Sequence, residues 1–145
     1  MAIIFRYIHV PRADGTLRKA PFIPVFATNK FNRSIEVVAL LDSGADNTVV
    51  PKDLADLLGL QVESTDIETG GIGGKVKVKK SRLRFALKGD RETYQLDVPA
   101  LVLQDSSADV PLLLGRNGFF EQFHITFRQN EEKIILKKKS PMEVY

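Results

Sequence analysis

Cysteine is absent from this 145-residue sequence, and its absence excludes several kinds of chemistry. A chain without thiols forms neither disulfides nor thiolate metal sites, and it has no cysteine nucleophile. The composition is compatible with a reducing compartment, and we expect a cytoplasmic protein.

Histidine and long apolar runs are also scarce. His9 and His124 are the only histidines and stand alone in the sequence, so ordinary surface or packing roles are favoured and no metal or cofactor is predicted. No stretch approaches the ~20 apolar residues that span a bilayer, and the N-terminal residues lack the apolar core of a signal peptide. We therefore predict no membrane association.

The basic residues have two interpretations. The net charge is +3, and lysines cluster at positions 75, 77, 79 and 80 and again at 137–139. They could bind an anionic partner, or they could form the solvated face of a strand, which the alternation of lysine with valine favours. A nucleic-acid-binding β-barrel is a weaker alternative because no aromatic residues alternate with these lysines. We predict no nucleic-acid partner.

The sequence favours an all-β fold. Hydrophobic residues make up 43% and charged residues 27%, as in a globular protein, and the length suits a single domain over residues 1–145. The continuous apolar run 35–41 predicts a strand covered on both faces. The other predicted strands are 3–10, 22–28, 75–87, 94–98, 100–103, 111–114, 125–127 and 133–136.

One or two short helices interrupt the strands. Pro51 suits a first helical position and Gly59 a C-terminal cap, while Leu54, Leu57 and Leu58 share one face. A second short helix is predicted over residues 116–123.

The triplet Asp42-Ser43-Gly44 is the most informative motif. It follows the apolar run directly, and a second strand-like segment begins at Thr48. A carboxylate among so much apolar surface is costly unless it is paired or neutralised. The alternative is a purely structural role, in which the Asp42 side chain forms a cap or an Asx-turn.

A second apolar pair also enters a glycine turn. Leu113-Leu114-Gly115 lies 73 positions after the Asp42 turn. An internal two-fold arrangement would place the two turns side by side. Asp46 and Arg116 would then form a charge-assisted pair; the alternative is two independent surface charges.

Two carboxylates held close together share a proton, so one can deprotonate a water while the other protonates a carbonyl. The chain offers one such turn, so a second carboxylate requires a second copy related by a two-fold axis. Ser43 could be imagined as a nucleophile, but no base is placed for it, and its hydroxyl more plausibly steadies the turn.

The segment 70–74 contains four glycines around Ile72. A phosphate-binding loop would need glycine at position 69 and Ser or Thr at 76, where this chain has Thr69 and Val76. A mobile hairpin flap that closes over an extended peptide fits better.

At these motifs the chain resembles the retropepsin-like aspartic peptidases, the single-domain family that includes retroviral proteases. The resemblance rests on 39–50, on 70–74 and on 112–117. It implies a closed β-barrel-like acid protease fold, a polypeptide substrate and a homodimer whose catalytic dyad is Asp42 from each subunit. The implied supporting residues are Ser43, Gly44, Ala45, Thr48 and Arg116. The implied substrate-binding residues are Gly44, Asp46, Asn47, Gly70, Gly71, Ile72, Gly73 and Gly74.

The chain also departs from retroviral enzymes. It is longer, it adds the helix near Pro51, and its termini do not match the interleaved terminal strands of retroviral dimers. Because it begins at Met1 without signs of excision, we expect a free-standing cellular or prokaryotic member. A peptide-binding or dimerisation module with the same fold and little turnover is the alternative function.

Overall fold

The computed structural model describes residues 2–71, 74–106 and 110–139, and most of them lie in β-strands. The elements in chain order are β1 (Ala2–Arg6), β2 (Val10–Pro11), β3 (Leu17–Arg18), β4 (Phe22–Thr28), β5 (Ser34–Leu41), β6 (Thr48–Val50), α1 (Lys52–Leu58), β7 (Ile67–Gly71), β8 (Gly74–Lys88), β9 (Thr93–Leu103), β10 (Leu112–Leu114), a 3₁₀ helix (Phe120–Gln122), β11 (Phe123–Arg128), a 3₁₀ helix (Gln129–Glu131) and β12 (Lys133–Lys138).

Six strands close into a barrel in the order β4-β5-β10-β6-β9-β8. The closing contact is a short antiparallel pairing between β4 and β8, in which Phe26 and Ala27 face Ala86 and Phe85. β7 pairs with the first part of β8 and extends the sheet beyond the barrel. The predicted all-β fold with a closed β-barrel is confirmed.

The barrel interior is filled by alternate residues of its strands, as the period of two along a strand requires. Ile23, Val25 and Ala27 of β4 have no exposed surface. Phe85 meets Phe119 with ring centroids 6.0 Å apart, and Phe119 meets Phe123 at 5.3 Å. Burial of a large apolar side chain, such as Ile23 or Phe85, contributes about 1.5–3 kcal/mol to folding.

The prediction that 35–41 is covered on both faces is wrong. β5 alternates: Ala39 and Leu41 are buried, whereas Glu36 is exposed and Val38 keeps 39% of its surface. One face of β5 therefore lies in the barrel interior. The other face is also apolar, but it lies on the barrel exterior, where the single chain covers it only in part.

A second sheet joins the two ends of the described chain. β12 is its central strand, with β1 and β11 antiparallel on either side. Ile3, Ile134 and Leu136 point toward the barrel and are buried in the same hydrophobic core. The strand predicted over residues 3 to 10 is shorter in the structure, where β1 ends at Arg6.

α1 confirms the predicted helix. Gly59 ends it in the left-handed conformation at φ 66°, which an L side chain rarely adopts. Ala55 and Leu58 are buried, but Leu57 is 63% exposed, because the buried face is centred between positions 55 and 58. No helix among the described residues is long and apolar enough to cross a membrane.

Two boundaries also differ from expectation. β9 is one strand through Pro99 rather than two, and its pairing with β6 begins only at Ala100, so the missing proline N–H costs no bond there. The predicted helix over 116–123 is reduced to one 3₁₀ turn, Phe120–Gln122, after a turn at Gly118 with φ 82°.

Candidate active site

The Asp42 turn and the Gly115 turn lie side by side, as predicted. β5 and β10 are parallel neighbours with Leu41 opposite Leu114, so their carboxyl ends deliver both turns to the same edge. The backbone N–H of Asp42 donates to the Leu114 carbonyl at 3.0 Å, and the Arg116 N–H donates to the Ala45 carbonyl at 2.9 Å. Chain segments about 70 residues apart therefore hold each other in place.

Gly115 is required at this crossing. A Cβ at Gly115 would lie 2.4 Å from the carbonyl oxygen of Asn47 and 2.9 Å from that of Ala45. Both neighbours are backbone atoms, which cannot move away as the end of a flexible side chain could. The second turn therefore needs glycine for close backbone approach.

The Asp42 carboxylate is half-buried at the start of its turn. Its Oδ1 accepts a hydrogen bond from the Gly44 N–H at 2.9 Å, and the Asp42 carbonyl accepts one from the Ala45 N–H at 3.1 Å. These bonds fix the carboxylate relative to the backbone. Among the described residues, Oδ2 of Asp42 has no hydrogen-bond partner, so one oxygen remains available.

Side chains reinforce the crossing of the two turns. Thr48 is fully buried, and its hydroxyl oxygen accepts a long hydrogen bond of 3.5 Å from the Gly115 N–H. Arg116 donates to the Asp46 carboxylate, as predicted, and Asn117 donates to the Asn47 side-chain oxygen at 3.0 Å. The alternative of two independent surface charges at positions 46 and 116 is wrong.

A strip of half-exposed apolar side chains lies on the barrel exterior beside these turns. Register places Leu40, Leu113, Val49 and Leu101 next to one another on four adjacent strands. Each is partly exposed, whereas Leu112 points into the core at 2% exposure. The strip is therefore an apolar surface patch beside the Asp42 turn.

The predicted flap arms form a β-hairpin. β7 and β8 pair from Ile67 opposite Val78 to Gly71 opposite Gly74; Ile72 and Gly73 lie outside the described residues. Alternation gives the hairpin one apolar face, which includes Val76 at 47% exposure, and one polar face on which Glu68 lies opposite Lys77.

The described residues contain no cluster of three or more histidine, aspartate or glutamate side chains that could hold a metal ion. The ionisable side chains at the two turns are the carboxylates of Asp42 and Asp46 and the guanidinium of Arg116.

The sequence profile of the family described as aspartyl protease matches residues 27–117, more than half of the chain, and includes both turns and the flap arms. This chain belongs to the aspartyl protease family. No curated protein sequence matches it.

Solved structures of aspartic proteases share the fold. The EIAV protease in complex with the inhibitor HBY-793 is 23% identical, with a TM-score of 0.50; the match covers 74% of this chain and 88% of that one. A retropepsin-like aspartic protease from Rickettsia conorii is 19% identical, with a TM-score of 0.53, over 94% of this chain and 92% of that one. The chain thus has the retropepsin-like fold.

In this aspartyl protease the structure brings together all the predicted residues of the two turns: Asp42, Ser43, Gly44, Ala45, Asp46, Asn47, Thr48 and Arg116. Gly70, Gly71 and Gly74 lie in the flap arms, apart from the turns in sequence and sheet position. Sequence reasoning missed Leu40 and Leu101 as members of the apolar strip. The alternation of side chains along a strand could have identified them, because Leu40, next to the buried Leu41, has to point to the outer face of the barrel.

Proposed function

We propose that this chain is a homodimeric aspartic endopeptidase in which Asp42 of two subunits forms the catalytic dyad. The interlocked turns carry this proposal. They hold Asp42 in a fixed position with one carboxylate oxygen free among the described residues, at the edge of an apolar strip. That arrangement suits a group that acts on a bound peptide better than one that only caps a turn.

The second carboxylate has to come from a second chain. The turn that faces Asp42 within the chain carries Gly115, where a Cβ would already collide with backbone. The nearby Asp46 is engaged by Arg116. A two-fold axis beside Asp42 supplies an identical carboxylate by symmetry.

The two carboxylates then share one proton. The ionised one removes a proton from a water, whose oxygen attacks the carbonyl carbon of the peptide bond, while the protonated one gives its proton to the carbonyl oxygen. Collapse of the tetrahedral intermediate breaks the C–N bond as the leaving nitrogen takes the proton that the first carboxylate removed from water, and a hydroxyl proton of the intermediate returns to the second carboxylate. No covalent enzyme intermediate is needed.

The remaining residues have supporting roles in this proposal. Ser43, which is exposed in the single chain, would hydrogen-bond across the dimer. Gly44, Asp46 and Asn47 would contact the main chain of the substrate. The flap 70–74 would close over the peptide and exclude water, with its apolar face toward the strip of Leu40, Leu113, Val49 and Leu101.

The decisive experiment compares Asp42→Asn with Asp90→Asn. Asp90 is exposed at the β8–β9 turn and serves as a matched control. We expect Asp42→Asn to lose cleavage of an unfolded protein mixture by about 10⁴-fold or more, comparable to the loss of a key group in other proteases. Asp90→Asn should cleave normally. Retained activity in Asp42→Asn, with an unchanged fold, would reject the dyad.

The dimer has its own test. Specific activity should rise with protein concentration across the range in which sedimentation shows dimer formation, because each active site needs two chains. A monomer that cleaves at full specific activity would contradict the proposal. Cleavage should also be fastest in acid, where the shared-proton form is populated, and activity that keeps rising above neutral pH would argue against that mechanism.

A further inference from the structure

A long groove lies on the outer surface of the β8–β9 hairpin. Its volume is about 1140 Å³, and its walls are β8 and β9 on one side and the segment 58–63 after α1 on the other. Small-molecule pockets measure roughly 300–1,000 Å³, so this open groove suits a length of polymer better than one small ligand.

The groove is predominantly basic. Its lining includes four cations, Lys30, Lys80, Arg82 and Arg84, against two carboxylates, Glu63 and Asp97. Asp97 is already engaged by Arg82, with Nε to Oδ1 at 2.8 Å. Lys80 and Arg84 have no ion-pair partner among the described residues. Both positive charges are therefore available to negatively charged groups of a ligand.

The basic side chains of β8 are evenly spaced. Lys80, Arg82 and Arg84 alternate along the strand and are exposed on the same face, opposite Leu101, Pro99 and Asp97 of β9. Alternate side chains on a strand are about 6.8 Å apart. An extended peptide beside this strand has the same repeat and can present every second side chain to it.

The wall opposite β8 is held in place by backbone bonds. The Glu63 N–H donates to the Lys80 carbonyl at 2.9 Å, and the Leu60 N–H donates to the Ala55 carbonyl at 3.0 Å. The Lys30 N–H reaches the Leu58 carbonyl at 2.8 Å. The groove is therefore present before any ligand binds, which lowers the ordering cost of binding.

Asn47 connects the groove to the candidate active site. It lines the groove and also accepts the hydrogen bond from Asn117 beside the Gly115 turn. Five Cα–Cα steps of 3.80 Å separate Asp42 from Asn47, so the two lie at most about 19 Å apart. An extended peptide covers that distance in about six residues.

We propose that this groove binds an acidic segment of the polypeptide substrate, with Asp or Glu at alternate positions in a stretch that begins within about six residues of the scissile bond. The inference rests on the proposed function. Lys80 and Arg84 would act as specificity-determining residues. In a two-fold dimer each end of the cleft carries one groove, so the acidic preference applies on both sides of the cleaved bond.

A nucleic acid is a poorer occupant. Single-stranded nucleic acids bind through aromatic side chains that stack on bases as well as through basic residues. None of the groove's described lining residues is aromatic. The exposed apolar side chain of Val62, which also lines the groove, fits side chains between the acidic positions of a peptide.

The first test profiles cleavage sites in a peptide library made from a digested protein mixture. The wild-type protein should favour Asp or Glu at alternate positions near the cleaved bond, and Lys80→Glu should reduce that preference by about 1.4- to 5-fold, the range for one exposed charge pair. Lys80→Arg should restore it. Arg91→Glu, with the same charge change at the β8–β9 turn outside the groove, should leave it unchanged.

The second test separates this inference from the proposed catalysis. A fluorescein-labelled (Glu-Ala)₃ peptide should bind the Asp42→Asn protein more tightly than (Gln-Ala)₃, and the difference should shrink in Lys80→Glu and Arg84→Gln and as salt rises. Binding needs no turnover, so it reports the groove even if the dyad proposal fails. Equal binding of the two peptides, an equal effect of Arg91→Glu, or equal displacement by a hexathymidylate would overturn the inference.

Discussion

The two turns and the flap arms are both glycine-containing loops, yet they are held in different ways. The turns are joined by backbone bonds between segments about 70 residues apart, together with a buried threonine and an ion pair. The flap arms extend beyond the closed barrel and pair with each other, β7 against β8. Among the described residues, only their base is bound to β9, where Val78 lies opposite Leu103 and the Gln104 N–H donates to the Lys77 carbonyl. Gly115 of the turns is surrounded closely by backbone atoms, whereas Gly70 of the flap arms has no described atom within 4 Å of an added Cβ.

This difference separates two requirements of the proposed reaction. Catalytic groups have to be held within a fraction of an ångström, whereas a cover over the substrate has to open and close. The hydrogen bonds and the ion pair between the two turns meet the first requirement, and the local pairing of β7 with β8 meets the second. Substitutions at matched glycines and at Thr48 can test whether the chain divides these tasks as its contacts indicate.

The largest effect on stability is expected from Gly115→Ala. The new Cβ would lie 2.4 Å from the Asn47 carbonyl oxygen, so the two turns would have to separate. We expect the free energy of unfolding to fall by about 3 kcal/mol, measured by urea denaturation. A loss below about 1 kcal/mol would mean that the turns are loosely joined and that the comparison with the flap fails.

Thr48→Val should have an intermediate effect. The substitution keeps the shape of this fully buried side chain but leaves the Gly115 N–H without its side-chain acceptor. We expect the free energy of unfolding to fall by about 1–3 kcal/mol. The shift of the urea midpoint measures this loss, provided that the dependence of the free energy on urea concentration is unchanged. Thr48→Ser keeps the hydroxyl, and the interpretation predicts that it loses less than Thr48→Val does; the reverse order would assign the effect to packing of the methyl group.

Gly70→Ala should change stability least. A Cβ at Gly70 meets no atom of the described residues within 4 Å, and the backbone there is not left-handed. We expect a gain or loss within about 1 kcal/mol, measured in the same urea assay, together with a fall in kcat/KM of up to about 100-fold if the flap contacts substrate. A large stability loss without a change in cleavage would remove the flap from the proposed mechanism.

Much of the site follows from local patterns. The apolar pair that enters each glycine turn predicted that Asp42 and Gly115 would meet, and the charges at Asp46 and Arg116 followed from that placement. These predictions succeeded because strand, turn and charge all agree at the same positions. The terminal sheet was not predicted, because nothing in the residues near Ile3 specifies β12 as their partner.

The errors have a common cause. A run such as 35–41 shows only that apolar residues are present, and it cannot say whether the second face meets another part of the chain or stays partly open. The spacing of Leu54, Leu57 and Leu58 likewise does not fix which face of the helix the barrel covers, and Leu57 is 63% exposed. Pro99 did not end a strand because pairing with β6 starts one residue later. Each outcome depends on tertiary neighbours.

The sheet that joins the two ends of the described chain has a consequence for biosynthesis. Ala2 pairs with Lys137, so β1 has to wait for the synthesis of β12 before its partner exists. At about 5–20 residues per second this wait is roughly 7–27 s. During that time β1 has no partner strand, and Ile3 and Phe5, which are buried in the folded chain, stay uncovered, so we expect the nascent chain to bind chaperones.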